Sequence, residues 1–397
     1  MTQTSMLVCT RVAATTPHAN SSVELLLQMG PIAQRKASGA GGIAQNPEEY
    51  RHWAAVQLSE EEFASLNQSK YIDRCTKLLY RSSRQIFDGQ AQGAALAKES
   101  TSIVVGTAFG NGRDQAEMIE HLEKGGIRAV EPVLFPNLVY NCPASRLAII
   151  HGNRGPTSTL TNGLCSGLDS LIHAAQMLRL KRASHVLACG VEELSELSAM
   201  GYHRYARSLR EVDFYPIEAS AAAMLTTEAR ARAEGDAILG RLVHYRQSFF
   251  PGRAADTKAF GHAIADNLTA LIRESAVDPK QIGTILLSLN GFAVLDRAEL
   301  AALDTVIATL AHPVALVAIK RIIGEGTGAS GLLQLATVFG GGLNALDVEA
   351  HHRDVLPDTF RARNAANLAP RVRGSHVIIS NLGWMGNHTA IIVERTS

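Results

Sequence analysis

The chain has 397 residues, is 46% hydrophobic and 19% charged, and sets 38 Lys+Arg against 37 Asp+Glu for a formal charge of +1. This length fits two or three domains or one large duplicated α/β unit, with apolar residues enough for a sizeable core. The near-balanced charge argues against nucleic acid or a membrane surface as the main partner.

Five cysteines (Cys9, Cys75, Cys142, Cys165, Cys189) form no CxxC pair. An odd count without metal spacing excludes a disulfide framework and a structural zinc site, and a reducing cytoplasm fits best. The opening MTQTSMLVCTRVAATT lacks the basic and apolar regions of a signal peptide. No uninterrupted apolar run reaches the roughly 18–20 residues of a membrane span.

In chain order, the Gly- and Ala-rich stretch 31–50 reads as loop, 58–85 as helix, 101–110 (TSIVVGTAFG) as a strand ending in a glycine turn, and 112–124 as helix. The centre is clearer. PTSTLTNGLC (156–165) is a β-branched strand running into a turn, 166–183 a helix, and SHVLACGVEE (184–193) a strand. The second half repeats that order. TILLSLNG (284–291) is a strand, PVALVAIKRIIGEGTGASG (313–331) a strand and Gly-rich loop, 331–343 a helix, and 375–395 two strands around a turn. Alternating strands and helices predict mainly parallel sheets covered by helices.

Cys165 stands at a strand-to-helix corner between Gly163 and Gly167. A corner of this kind exposes a nucleophile, and a helix N-terminus acidifies a thiol and offers free N–H groups to an oxyanion. The plain alternative is a buried structural cysteine. The adjacent His351 and His352 and the scattered histidines lack metal spacing. No Gly-rich motif has the strand, helix and acidic residue of a dinucleotide site.

GNRGPTSTLTNGLCSGLDSLIHAAQML resembles the active-site segment of the β-ketoacyl-carrier-protein synthases, the ketosynthases. The likeness continues in 135–156, in GVEELS (190–195), in IEASAAAML (217–225) and in SNLGWMGNHTAIIVE (380–394). It covers roughly residues 100–397. It implies an α/β thiolase fold, duplicated in five layers α/β/α/β/α, with one half at 1–230 carrying Cys165 and the other at 231–397 carrying Lys320 and Glu325. It also implies acyl groups carried on the phosphopantetheine of an acyl carrier protein, no further cofactor, and a homodimer or a heterodimer with a ketosynthase through PTSTLT.

In that family a cysteine accepts an acyl group, and two histidines support decarboxylation and the enolate. This chain departs from the pattern. Lys320 is in place, but Glu325 replaces the second histidine. The first falls on Asn290 if the following glycine is aligned, or on Ser288 if Asp296 and Glu299 are. An ionised carboxylate cannot donate to an enolate and repels it. Trp384 takes the place of a phenylalanine that gates the acyl pocket and whose N–H helps form the oxyanion hole, beside Gly383, with Met385 where glycine is usual. Three readings follow: a chain-length-factor-like partner of an active ketosynthase, an acyltransferase using Cys165 with Glu325 as base, and a condensing enzyme with a rearranged site. Against the first, many chain-length factors lack the cysteine that this chain keeps.

Overall fold

The computed structural model describes residues 6–17, 54–67, 69–88, 101–208, 214–252 and 256–396. The loop read at 31–50 lies outside them. The segment read as one helix over 58–85 is instead two single 3-10 turns, Glu60–Phe63 and Ser69–Tyr71, followed by α1, Arg74–Asp88. Asp73 stops the chain from continuing backwards as helix, because its carboxylate accepts from Thr76 N (2.8 Å) and Thr76 Oγ1 (2.5 Å), as an N-terminal cap does.

Ten strands form one sheet: β1 Leu7–Thr15, β2 Thr101–Gly106, β3 Thr157–Leu160, β4 His185–Glu192, β5 Ala219–Thr227, β6 Gly240–Phe249, β7 Ile282–Leu286, β8 Ala315–Val317, β9 His376–Leu382 and β10 Asn387–Arg395. Their order is β3-β2-β4-β5-β1-β6-β10-β9-β7-β8. Read outward from the centre, β1-β5-β4-β2-β3 on one side matches β6-β10-β9-β7-β8 on the other. The directions match as well, since β1–β5, β5–β4, β6–β10 and β10–β9 are antiparallel while β4–β2, β2–β3, β9–β7 and β7–β8 are parallel. The fold is thus duplicated, but the sheet is mixed rather than mainly parallel. The middle strands β1 and β6 meet only over Leu7↔Leu242, Val8↔Arg241 and Cys9↔Gly240.

The remaining helices used below are α2 Gly112–Gly125, α3 Cys142–His151, α4 Ser166–Arg179, α5 Glu196–Ser208, α6 Thr257–Glu274, α7 Ala293–Leu310, α8 Ser330–Phe339 and α9 Val348–Val355. Helices α4 and α8 touch each other and strands of both halves, while α1 and α3 cover the first half outside and α6 with α7 the second. This gives five layers. A helix between the two halves of the sheet must be buried on all sides, and α8 (SGLLQLATVF) buries every residue from Ser330 to Val338. Glycine permits the close central packing: a Cβ on Gly167 would stand 2.7 Å from Gly328 O, and one on Gly331 2.6 Å from Leu168 Cγ. Among the described residues no helix is long and apolar enough to cross a membrane.

Candidate active site

Helices α4 and α8 begin alike. Each follows a 3-10 turn, Gly163–Cys165 or Thr327–Ala329, and each has a serine that accepts from the amide four residues earlier: Asn162 N to Ser166 Oγ at 2.7 Å, Gly326 N to Ser330 Oγ at 2.9 Å. Each serine ties the loop before its helix to the first helical residue. The second helix opens at Ser330, five residues beyond Glu325.

Cys165 sits at the start of α4 and is fully buried. Its Sγ donates to Asn381 O of β9 at 3.3 Å, and its amide donates to Asn162 O at 3.2 Å. The N–H that would serve an oxyanion is thus already in use. Burial pushes the thiol up to about 12, with the nearby Asp169 carboxylate adding to the rise and Thr389 and Lys320 opposing it. This reverses the sequence expectation of an acidified thiol. Asp169, in the first turn of α4, is held by Asn162 Nδ2 (2.6 Å), Gln247 Nε2 (2.7 Å) and Thr389 Oγ1 (2.7 Å). A buried negative group one turn below the sulfur outweighs the helix terminus.

Asn381 connects the cysteine to the other predicted residues. Its Oδ1 accepts from Lys320 Nζ at 2.6 Å, and its Nδ2 donates to Gln334 Oε1 at 2.7 Å. Lys320 Nζ lies 3.1 Å from Glu325 Oε2 in an ion pair with both side chains buried, and reaches Ser288 Oγ at 3.5 Å. Glu325 Oε2 also accepts from Asn290 Nδ2 at 2.8 Å, while Oε1 accepts from Thr327 N at 2.9 Å and from the Ser330 hydroxyl. Both candidate replacements for the first histidine therefore enter one network, Asn290 on Glu325 and Ser288 on Lys320. With two donors on each oxygen, Glu325 has no free lone pair with which to take a substrate proton. Its geometry is that of a charged cross-link, not of a general base.

Behind this network, Glu299 is fully buried. Its Oε1 accepts from Ser288 N (2.9 Å) and Ser380 Oγ (3.0 Å), and its Oε2 has no partner among the described residues. Burial raises Glu299 to about 7, Asp296 to about 6 and Glu193 to about 8. These acids keep a proton in the fold after the unfolded chain has lost it near pH 4. They contribute stability that is complete below that pH and is lost as pH rises through their folded values. Burial holds His388 and His351 near 3, so their contribution disappears as pH falls below about 6.5, where the unfolded chain takes up protons. Between about pH 7 and 8.5 the unfolded histidines are mostly neutral, and the acids, joined near the top of that range by buried cysteines that ionise only in the unfolded chain, make stability fall. The urea midpoint is expected to fall over that window and to fall less in Glu193→Gln; a flat or rising midpoint in the parent protein contradicts the assignment. His351 and His352 hold β8: His351 Nε2 accepts from Ala318 N at 2.9 Å, and His352 Nε2 lies 3.0 Å from Leu316 O and 3.2 Å from Leu316 N.

Trp384 lies in the turn between β9 and β10. Gly383 N donates to Asn387 O at 2.8 Å, Gly386 takes the positive φ (+93°), and Met385 projects into solvent. The Gly383 amide is therefore used by the turn itself. The half-buried Trp384 ring packs 5.5–6.2 Å from Phe292, Phe109 and Tyr202 and walls a largely aromatic cavity of about 470 Å³ with Tyr140, Gln115 and Ser198. Cys165 is not among the residues lining it.

The model of the β-ketoacyl synthase N-terminal domain matches residues 36–239, and that of the C-terminal domain matches residues 250–340. A putative polyketide β-ketoacyl synthase 2 from Streptomyces halstedii is 26% identical over 86% of both chains. Two solved structures superpose over 99% of this chain and all of theirs. One is a type II polyketide synthase acyl-carrier protein in complex with its ketosynthase bound to the hexaketide (TM-score 0.72, 14% identity), the other the ishigamide ketosynthase/chain length factor (TM-score 0.71, 16% identity). At such identities they speak for the fold.

Proposed function

Because the chain belongs to the β-ketoacyl synthase family, we propose that it serves polyketide or fatty-acid synthesis on carrier-protein thioesters as the chain-length-factor-like partner of an active ketosynthase. The observation that carries this is the saturation of Glu325 by Lys320, Asn290, Thr327 and Ser330. A site with no histidine, no free base and a cysteine held as thiol lacks the parts for decarboxylation and is poorly suited to acyl transfer. The acyltransferase reading keeps one support, the presence of Cys165 itself. In the partner reading Cys165, Lys320, Asn290 and Glu325 hold the two helix starts together, and Trp384 shapes a chain cavity. The halves divide near residue 230, between β5 and β6.

Pairing with a ketosynthase, or with a second copy, draws support from the edge of the sheet. Strand β3 is an outermost strand and half exposed. Elsewhere α2 buries no residue and leaves Ile119 and Leu122 in solvent, with Ile127 and Phe135 exposed in the 3-10 turns that follow it. Such a surface is what a partner covers. The test is reconstitution with an intact ketosynthase from the same organism and a loaded carrier protein. The pair is expected to extend the chain, with Trp384→Ala lengthening the product. Unchanged activity and product length when this chain is left out would refute the reading.

A further inference from the structure

The GVEELS stretch contains a buried acid that the network above does not use. Glu192 ends β4, is 3% exposed, and accepts hydrogen bonds from two loops. Its Oε2 accepts from Ala108 N at 2.7 Å and Gly328 N at 3.2 Å; its Oε1 accepts from Phe109 N at 3.0 Å and Thr107 Oγ1 at 3.4 Å. The first loop follows β2 and carries Phe109, whose ring lies 6.0 Å from both Trp384 and Tyr202 in the cavity wall. The second follows Glu325. Only glycine fits at 328, where a Cβ would stand 2.6 Å from Thr107 Cα and 2.8 Å from Glu192 Oε2. Gly190 is equally tight, its Cβ falling 2.9 Å from Ala329 Cα. The two loops and the end of β4 are thus in direct contact, with one carboxylate between them.

We propose that Glu192 is a positioning residue that ties the Phe109 wall of the aromatic cavity to the loop carrying Glu325 and so fixes the width of the cavity. An ionised carboxylate is acceptor-only and can serve these N–H groups together. An amide of the same shape must turn its NH₂ towards at least one N–H, losing either Phe109 N or both Ala108 N and Gly328 N. A protonated acid does the same with its O–H, and burial raises Glu192 to about 7. The titratable groups around it are Glu193, the next residue in the chain, Glu218 just before β5 with its partner Arg74, Cys75 of α1, and Glu325 at the start of the second loop. Glu218 is held by Arg74 at 2.5 Å and Glu325 by Lys320 at 3.1 Å. Burial raises Glu193 to about 8, so it is replaced by Gln in a control.

The test reads the cavity directly. Trp53 and Trp384 are the two tryptophans, so Trp53→Phe isolates Trp384. Loosening a buried wall by one lost amide contact should raise acrylamide quenching of Trp384 roughly twofold in Glu192→Gln at pH 9. Leu303→Ala, a core truncation in α7, should not raise it at equal loss of stability. Without Glu192→Gln, quenching should rise as pH falls from 9 to 6, and it should do so in Glu193→Gln as well. Quenching equal to that of the Trp53→Phe background in Glu192→Gln, an equal rise in Leu303→Ala, or a flat pH profile overturns the inference. The consequence for product length rests on the partner reading above. Raised quenching with unchanged product length supports the positioning role and counts against that reading alone.

Discussion

Lys320→Ala is expected to lower stability by about 3–5 kcal/mol, the usual loss when one member of a buried ion pair is removed and the other is left uncompensated. Glu325 would remain fully buried with its charge, and Asn381 Oδ1 would lose its 2.6 Å donor. The companion variant Lys320→Met with Glu325→Gln removes both charges but leaves acceptors for Thr327 N and the Ser330 hydroxyl. It should lose clearly less than Lys320→Ala, because no charge is stranded. Urea unfolding of the single and double variants decides. A single-variant loss under about 1 kcal/mol, typical of a solvated pair, would mean that the Lys320–Glu325 contact is not the cross-link described.

Alkylation of Cys165 by iodoacetamide is expected to run about 10³-fold slower at pH 8 than that of an unperturbed cysteine, since the thiolate is the nucleophile and the thiol is pushed up to about 12. Two effects compete here. A helix N-terminus stabilises a nearby anion by about 0.3–1 kcal/mol, less than one pH unit of thiol acidity. Full burial costs a thiolate more than that, and Asp169 works in the same direction. Peptide mapping against time measures the rate. Labelling within tenfold of a free thiol would show that the sulfur is exposed and activated, as the acyltransferase reading requires.

The duplicated fold was legible because strand, glycine turn and apolar helix recur in both halves, and the two central helices carry glycine where they cross. The helix read over 58–85 holds from Arg74 onward and fails before it, where the chain turns twice before Asp73 caps α1. At the site, the resemblance to the ketosynthases singled out Lys320, Glu325 and either Asn290 or Ser288, and the structure joins them in one network. Cys165 was located but its acidity was read with the wrong sign, since a strand-to-helix corner is visible in sequence and desolvation is not. Asn381, which touches both Cys165 and Lys320, was missed although it directly precedes the closing turn. No local pattern tells an asparagine in a strand that it will meet residues 216 and 61 positions away. Asp169 gave one usable signal, an acid in the first turn after the cysteine.

The central claim is that Cys165 is structural, and reconstitution with Cys165→Ala tests it most directly. Chain, an intact ketosynthase from the same organism and loaded carrier protein are combined, product yield and length are measured, and the intact mass of each protein is followed. The partner role predicts unchanged yield and length with Cys165→Ala, and no acyl mass on the parent chain during turnover. Loss of product with Cys165→Ala, together with an acyl adduct mapped to Cys165 in the parent, would contradict it and make this chain an acyltransferase.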